Sequence, residues 1–287
     1  MTGKFDLKLF KQWIARAPAT REETLELRPA SGLAAMLDQR RAPAIGDVLP
    51  PLWHWVYFTP TPLASDIDID GHPKRGGFLP PVPLPRRMWA GSTFRFQAPL
   101  YLGETVQRQS RISSIKLKQG ASGPLVFVNV GHECSVAGEL RIAEEQTLVY
   151  MGADRTSSSE NKPVEHNEKY TWFKRIEPDP VMLFRYSALT SNSHRIHYDR
   201  EYAVLEERYP GLLVQAPLTA TLLAELLREN CPNLHMTHFV FRALRPLVDT
   251  RPFSIYGRLE GDGSVALWAL DADKVLAVQA SARIIES

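Results

Sequence analysis

The most regular apolar pattern in the chain lies in "APLTATLLAELLREN". There Leu218, Leu222, Leu223, Leu226 and Leu227 recur at the three- and four-residue spacing of one helical face. Alanines and threonines fill much of the remaining circumference, so this helix is expected to be buried, and Pro217 suits its first turn. The segments that follow alternate instead: "MTHFVFRALRPLVDTRPFSIYGRL", "SVALWALD" and "KVLAVQASARI" read as strands with one face inward. The first half holds a similar set, "STFRFQAPLYLGETVQRQSRISSI" and "PLVFVNVGHECSV". Ahead of them, Ser31 is placed to cap a shorter and weaker helix, "GLAAMLDQRR".

The two strand-rich regions share more than a period. Each opens on an FxF pair (Phe94 and Phe96; Phe239 and Phe241), continues through an alanine (Ala98; Ala243) to a Pro-Leu pair (Pro99, Leu100; Pro246, Leu247), and then enters an alternating strand. A duplicated unit is the expectation. Between the halves, Met151 to Lys169 is polar and serine-rich and reads as a linker, dividing the chain into residues 1–150, a linker at 151–169, and residues 170–287. Two units, each a long helix wrapped by an antiparallel sheet, make an α+β fold. The stretch "PPVPLPRRMWAGS", Pro80 to Ser92, is proline-dense and is expected to lie outside any sheet interior, as a stiff loop offering Arg86 and Arg87 as a lid or phosphate contact.

Composition narrows the partners. Thirty-four basic and 32 acidic residues leave a net charge of +2 with no basic stripe, so nucleic acid and lipid surfaces are not expected. No apolar run approaches the roughly 18 residues of a membrane helix. The amino-terminal "MTGKFDLKLFKQWIARAP" lacks the apolar core of a secretory signal. Cys134 and Cys231 have no CxxC spacing and read as free thiols of a reducing cytoplasm. Small soluble partners are expected, with a homo-oligomer left open.

The chemistry concentrates in "RYSALTSNSHRIHYDREYA", Arg185 to Ala203. Its polar residues fit neither a clean strand nor a clean helix and read as a turn, after which Asp199 caps a helix from Arg200 to about Arg208. Three chemistries compete here. A metal pair at His194 and His197 is echoed by His235 and His238, but neither pair sits in an HExxH frame. A serine nucleophile at Ser187, Ser191 or Ser193 lacks the GxSxG elbow. Acid/base catalysis by one histidine asks least of the sequence. Against all three stands a set of loop and capping hydrogen bonds with no catalytic role.

"NSHRIHYD" resembles the signature Asp-x-Asn-Pro-x-His-x-Asp of the MaoC-type hydratases and dehydratases, hot dog folds, and is closer still to their type 2 hydroxyacyl-thioester dehydratase branch. His197 matches the signature histidine and Asp199 the trailing aspartate. Asn192 stands where the family has its catalytic aspartate, and His194 and Arg195 replace Asn-Pro. "PLWHWVYF", "HPKRGGFLPP" and "RRMWAGSTFRF" extend the likeness to bacterial members that hydrate mesaconyl-CoA linked through carbon 4, also called itaconyl-CoA hydratases. The resemblance implies a double hot dog whose first unit lacks the catalytic turn, and an enzyme of itaconate degradation that adds water to an enoyl-CoA. Broad (R)-3-hydroxyacyl-thioester dehydration and non-catalytic acyl-CoA binding are the alternatives. It also implies His197 as acid/base, Asn192 as water orienter and the Ala216 amide as oxyanion donor. His194, Tyr198, Gln215, Arg86 and Arg87 are expected around the substrate, with Arg195 or Arg185 holding a substrate carboxylate. CoA is part of the substrate, so no separate cofactor or metal is expected.

Overall fold

Alternation builds the sheet. In the last strand Ala280, Ala282 and Ile284 are buried while Gln279, Ser281 and Arg283 between them are exposed, the signature of a strand with one face on a core. The computed structural model describes residues 7–120, 123–153 and 168–286. Its first half comprises α1 (Leu7–Ile14), β1 (Ala19–Thr24), α2 (Leu27–Met36), β2 (Arg86–Phe96), β3 (Thr105–Gly120), β4 (Gly123–Val136) and β5 (Glu139–Met151). The second half comprises β6 (Trp172–Ile176), α3 (Pro180–Leu189), α4 (Ala216–Asn230), β7 (Leu234–Ala243), β8 (Phe253–Leu259), β9 (Ser264–Leu270) and β10 (Leu276–Glu286).

The strands form one antiparallel ten-stranded sheet in the order β1-β3-β4-β5-β2-β7-β10-β9-β8-β6, rather than two separate sheets. Read outward from the centre, both halves run second, fifth, fourth, third, first, so their topologies are the same. The two second strands, which carry the FxF pairs, meet at the seam with Phe94 opposite Phe239. Gly91 permits the approach, since a β-carbon there would stand 2.2 Å from the Phe241 carbonyl oxygen.

The repeat extends to the loops. Leu49 N–H donates to Leu100 C=O (2.8 Å) and Leu102 N–H to Asp47 C=O, while Val214 N–H donates to Leu247 C=O (2.9 Å) and Asp249 N–H to Leu212 C=O. Val214 leads directly into α4, whose Leu218, Leu222, Leu223, Leu226 and Leu227 are all buried against strands of the second half and β2. This is the hot dog arrangement of a sheet around a helix. At the matching place in the first half stands a single 3-10 turn, Trp53–Val56. Trp53 Nε1 and Gln39 Nε2 both donate to the buried carboxylate of Glu225, tying that half to α4 at 2.8 and 2.7 Å.

Two local expectations change. Ser31 caps nothing: α2 starts at Leu27, with Glu26 at its N-cap, and pairs with α3 instead of standing in for α4. The proline-dense stretch divides at Pro85. Pro80 to Pro85 lies over the outer face of the first-half strands, where Val82 and Leu84 pack with Phe10 and Trp13. From Arg86 every residue has an N–H, and Arg86 to Ser92 runs as a strand, paired with β5 from Arg86 and flanked by β7 as well from Gly91. Of the expected linker, Met151 ends β5, and residues 154–167 lie outside those described.

Candidate active site

Asp179 caps α3 by accepting a hydrogen bond from Met182 N–H (2.7 Å), and Pro180 takes the first helical position. The helix stops at Thr190, Ser191 takes a left-handed φ of 48°, and the chain folds into a 3-10 turn at Arg195–His197. His197 is buried with Nδ1 2.8 Å from the Leu213 carbonyl oxygen. A carbonyl can only accept, so Nδ1 carries the hydrogen and Nε2 keeps a free lone pair. Burial pulls the His197 pKa down to about 4, the Leu213 bond opposing and His72 adding to the fall, so the ring is neutral at pH 7.

A second histidine stands edge-on to the first. The His194 ring centroid is 5.6 Å from that of His197 at 89°, and 4.0 Å from that of His72. His72 belongs to the long loop after the 3-10 turn of the first half, on the other side of the duplication. Its Nδ1 lies 3.0 Å from Asp70 Oδ2, and Asp70 Oδ1 accepts from the His72 N–H at 2.8 Å. Burial and the Arg87 charge bring His72 down to about 4, against the opposing pull of Asp70. Burial would raise the Asp70 carboxyl, but the hydrogen bonds and charge of His72 hold it well below the usual carboxylate range. His194 is depressed furthest, by burial and then by His72 and His197.

The loop is docked by its backbone. Arg195 N–H donates to Asp70 C=O (2.9 Å), Arg195 Nη1 to Ile69 C=O (3.2 Å), and Ser193 Oγ to Gly71 C=O. Gly71 has φ of 89°, and a β-carbon on it would fall 1.8 Å from the Ser193 carbonyl oxygen, so only glycine fits. Ala216, half-buried, opens the 15-residue α4. Its N–H has no acceptor among the described residues, and Pro217 beside it has no N–H to offer. That amide, at the positive end of a buried helix, is a ready donor to developing negative charge. A cleft of about 430 Å³ reaches the turn at Asn192, between Pro62, Ile67 and Pro73 of the first half and Phe184 and Tyr198 of the second.

The sequence profile of hydroxyacyl-thioester dehydratase type 2 matches residues 52–249. The chain belongs to that family. It is 42% identical over 275 residues to a mesaconyl-C(4)-CoA hydratase of Chloroflexus aurantiacus, covering 95% of this chain and 96% of that one. It is 27% identical to the mitochondrial hydroxyacyl-thioester dehydratase type 2 of Schizosaccharomyces pombe, over 72% of this chain and 77% of that one. The crystal structure of a MaoC-like dehydratase from Phytophthora capsici shares the fold, with a TM-score of 0.67 at 12% identity over 96% of this chain and 98% of that one.

Within this member of the family, the residues nominated from sequence divide by what they already hold. Arg195 is committed to Asp199 (Nη2 to Oδ2, 2.8 Å), to the Tyr202 ring and to the Ile69 carbonyl, so it fastens the turn and loop and leaves no fork for a substrate carboxylate. Arg86 pairs with Glu207 at 2.8 Å and lies over the Tyr209 ring. Arg185 is exposed on α3, and its charge is not among those that act on His72, His194 or His197. Arg87, half-buried on β2, has neither hydrogen bond nor ion pair among the described residues, and its charge acts on His72 and His194. Asn192 Oδ1 accepts from His194 N–H (3.2 Å), and its amide nitrogen, at the cleft, has no partner among the described residues. Tyr198 is exposed and donates to Ser193 C=O (3.1 Å). Gln215 is buried, its Nε2 clamping α3 to α4 through Leu183 C=O and Ser187 Oγ. Asp199 caps the following turn through Tyr202 N–H.

Asp70 and His72 escaped the sequence reading because nothing in "DIDGHPKRGG" says that its backbone crosses to a turn more than a hundred residues away. The only local signal is a glycine between two residues able to form an Asp-His pair. Ligand atoms of Asp70, His72 and His194 lie within 4.8 Å of one another. The carboxylate is already taken by two hydrogen bonds from His72, the His72 and His194 rings lie 4.0 Å apart at a 39° tilt, and the Arg87 charge acts on both, which disfavours a cation between them. His235 and His238 are both exposed on β7, where a register shift at Thr237 sets them opposite Ile285 and Arg283 on the outward face, and they belong to no cluster of three metal-ligating groups among the described residues.

Proposed function

We propose that this protein adds water across the double bond of an enoyl-CoA thioester whose acyl group ends in a carboxylate, converting a mesaconyl-C4-type thioester to its hydroxy product. The observation that carries this reading is the 42% identity, over 95% of the chain, to the Chloroflexus aurantiacus hydratase. The site chemistry supports it. Hydration places a hydroxyl on the β-carbon and a proton on the α-carbon, while negative charge develops on the thioester oxygen. The amide of Ala216 is the donor for that charge. The free Nε2 of His197 accepts a hydrogen of the attacking water, and the Asn192 amide orients the water without being able to take a proton from it. Arg87 is the cation for the free carboxylate, a planar fork with no competing partner near the imidazoles. CoA enters as part of the substrate, and we place the reaction in cytoplasmic itaconate degradation.

A panel of enoyl-CoA esters with and without a terminal carboxylate tests the reading. Carboxylate-bearing substrates should be hydrated with kcat/KM at least about tenfold above crotonyl-CoA, the scale of one charge-assisted pair. Preference for crotonyl-CoA and longer alkyl chains would replace it with broad 3-hydroxyacyl-thioester dehydration, and binding without turnover would replace it with an acyl-CoA-binding role.

A further inference from the structure

We propose that His72, held by Asp70, is the residue that takes the proton from water and returns it to the α-carbon, so that the first half of the chain supplies the acid/base group that Asn192 cannot be. The inference rests on the hydratase reading above and names which group does the proton transfer.

Three imidazoles meet in the site, and each must be judged by its capacity to become positive. His197 is buried and bonded only to a backbone carbonyl, which orients it but offers no charge to stabilise an imidazolium. His194 has no carboxylate partner of its own and is pressed between two other imidazoles. His72 alone has an anion, Asp70, 3.0 Å from its Nδ1. The pairing fixes the tautomer: the carboxylate accepts, Nδ1–H donates, and the His72 Nε2 keeps the lone pair that a base needs. The carboxylate then stabilises the cation formed when that lone pair takes a proton. Beyond the direct Asp70–His72 bond, a His194 nitrogen lies within 4.8 Å of a His72 nitrogen, so one water can reach both rings.

The step balances without a co-reactant. As the water oxygen bonds to the β-carbon, its O–H breaks and the proton passes to His72 Nε2. The π pair of the double bond moves onto the thioester oxygen, facing the Ala216 N–H. The enolate then re-forms the thioester as its α-carbon takes the proton from His72, which returns to neutral. His197 stays neutral and acts as an acceptor that fixes the water. A carboxylate is thus present in the site, as the signature leads one to expect, but it arrives through His72 and from the other half of the duplication. The backbone bonds from Arg195 and Ser193 to the Asp70–Gly71 segment are what keep it there.

The groups facing His72 are Asp70 on its own loop, Arg75 just beyond it, Arg87 on β2, and His194 and His197 on the turn, so a pH profile reads their sum. The test compares His72→Gln, Asp70→Asn and His197→Gln in the full chain, with mesaconyl-C4-CoA as substrate. His72→Gln should lower kcat about 100-fold or more with KM little changed, whereas His197→Gln, which keeps an acceptor oxygen, should lose less. Asp70→Asn leaves His72 in place but removes its anion, so the acid limb of the kcat profile should move to lower pH as kcat falls. Should His72→Gln fail to fold, the displaced acid limb of Asp70→Asn decides. His72→Gln within about threefold of wild type, or an unmoved limb in Asp70→Asn, overturns this assignment while leaving the hydratase standing. A wild-type protein inert toward every enoyl-CoA overturns both.

Discussion

A buried histidine held neutral makes stability depend on acid in a way that one substitution isolates. His197 titrates at about 4 in the folded chain against an ordinary 6.5, so between those values the unfolded chain binds a proton that the native chain refuses. The sign follows: the contribution of this group is fully present above pH 6.5 and is lost as pH falls toward 4. At pH 4.5 the loss, relative to pH 7, comes to about 2.5 kcal/mol. His72 and His194 add losses of the same sign, so the measurement must be a difference. His197→Gln keeps an N–H for Leu213 C=O and cannot titrate. Urea unfolding of both proteins at pH 7 and pH 4.5 should show wild type losing about 2.5 kcal/mol more than the variant over that interval. Equal losses would mean that His197 ionises in the folded chain as it does unfolded, and the claim that burial withholds a proton from it would fall.

Other outcomes follow from single contacts. Gly71→Ala forces a β-carbon to 1.8 Å from Ser193 C=O at a φ of 89°, so the loop must leave the turn. Activity should fall with that docking while far-UV circular dichroism stays native, and an active Gly71→Ala would show that the loop is dispensable. Arg87→Met should reduce kcat/KM about tenfold or more for carboxylate-bearing substrates and little for crotonyl-CoA, and an equal effect on both would assign the guanidinium another role. Leu223→Ala in the buried face of α4 should cost about 2–5 kcal/mol in urea unfolding, and a loss below 1 kcal/mol would place that helix outside the core.

What could be read in the sequence was what local pattern encodes. The face of α4 was legible because five leucines at helical spacing leave few alternatives, and all five are buried. The FxF repeat marked the two strands that pair at the centre, although nothing in it said that they would join one sheet. Failures came where a long-range contact outweighed a local rule. Proline density argued against a strand up to Ser92, yet the prolines stop at Pro85, and pairing with β5 claims the chain from Arg86 onward, joined by β7 from Gly91. Ser31 looked like a cap, but packing against α3 extends α2 back to Leu27; a β-carbon on its Gly32 would stand 2.7 Å from Leu189 Cδ2. Arg195 could be nominated as a clamp only because its partners Asp199 and Tyr202, close in sequence, fall on the same side only once the turn is folded. Asp70 and His72 were invisible because their meaning depends entirely on where a loop of one repeat crosses to the other.

Addition of water to a carboxylate-bearing enoyl-CoA can be followed atom by atom with mesaconyl-C4-CoA and purified protein in oxygen-18 water. The enoyl-thioester absorbance should fall as a product heavier by one labelled water forms, its oxygen on the β-carbon. An unchanged substrate, or release of free CoA with the label in a carboxylate, would contradict hydration.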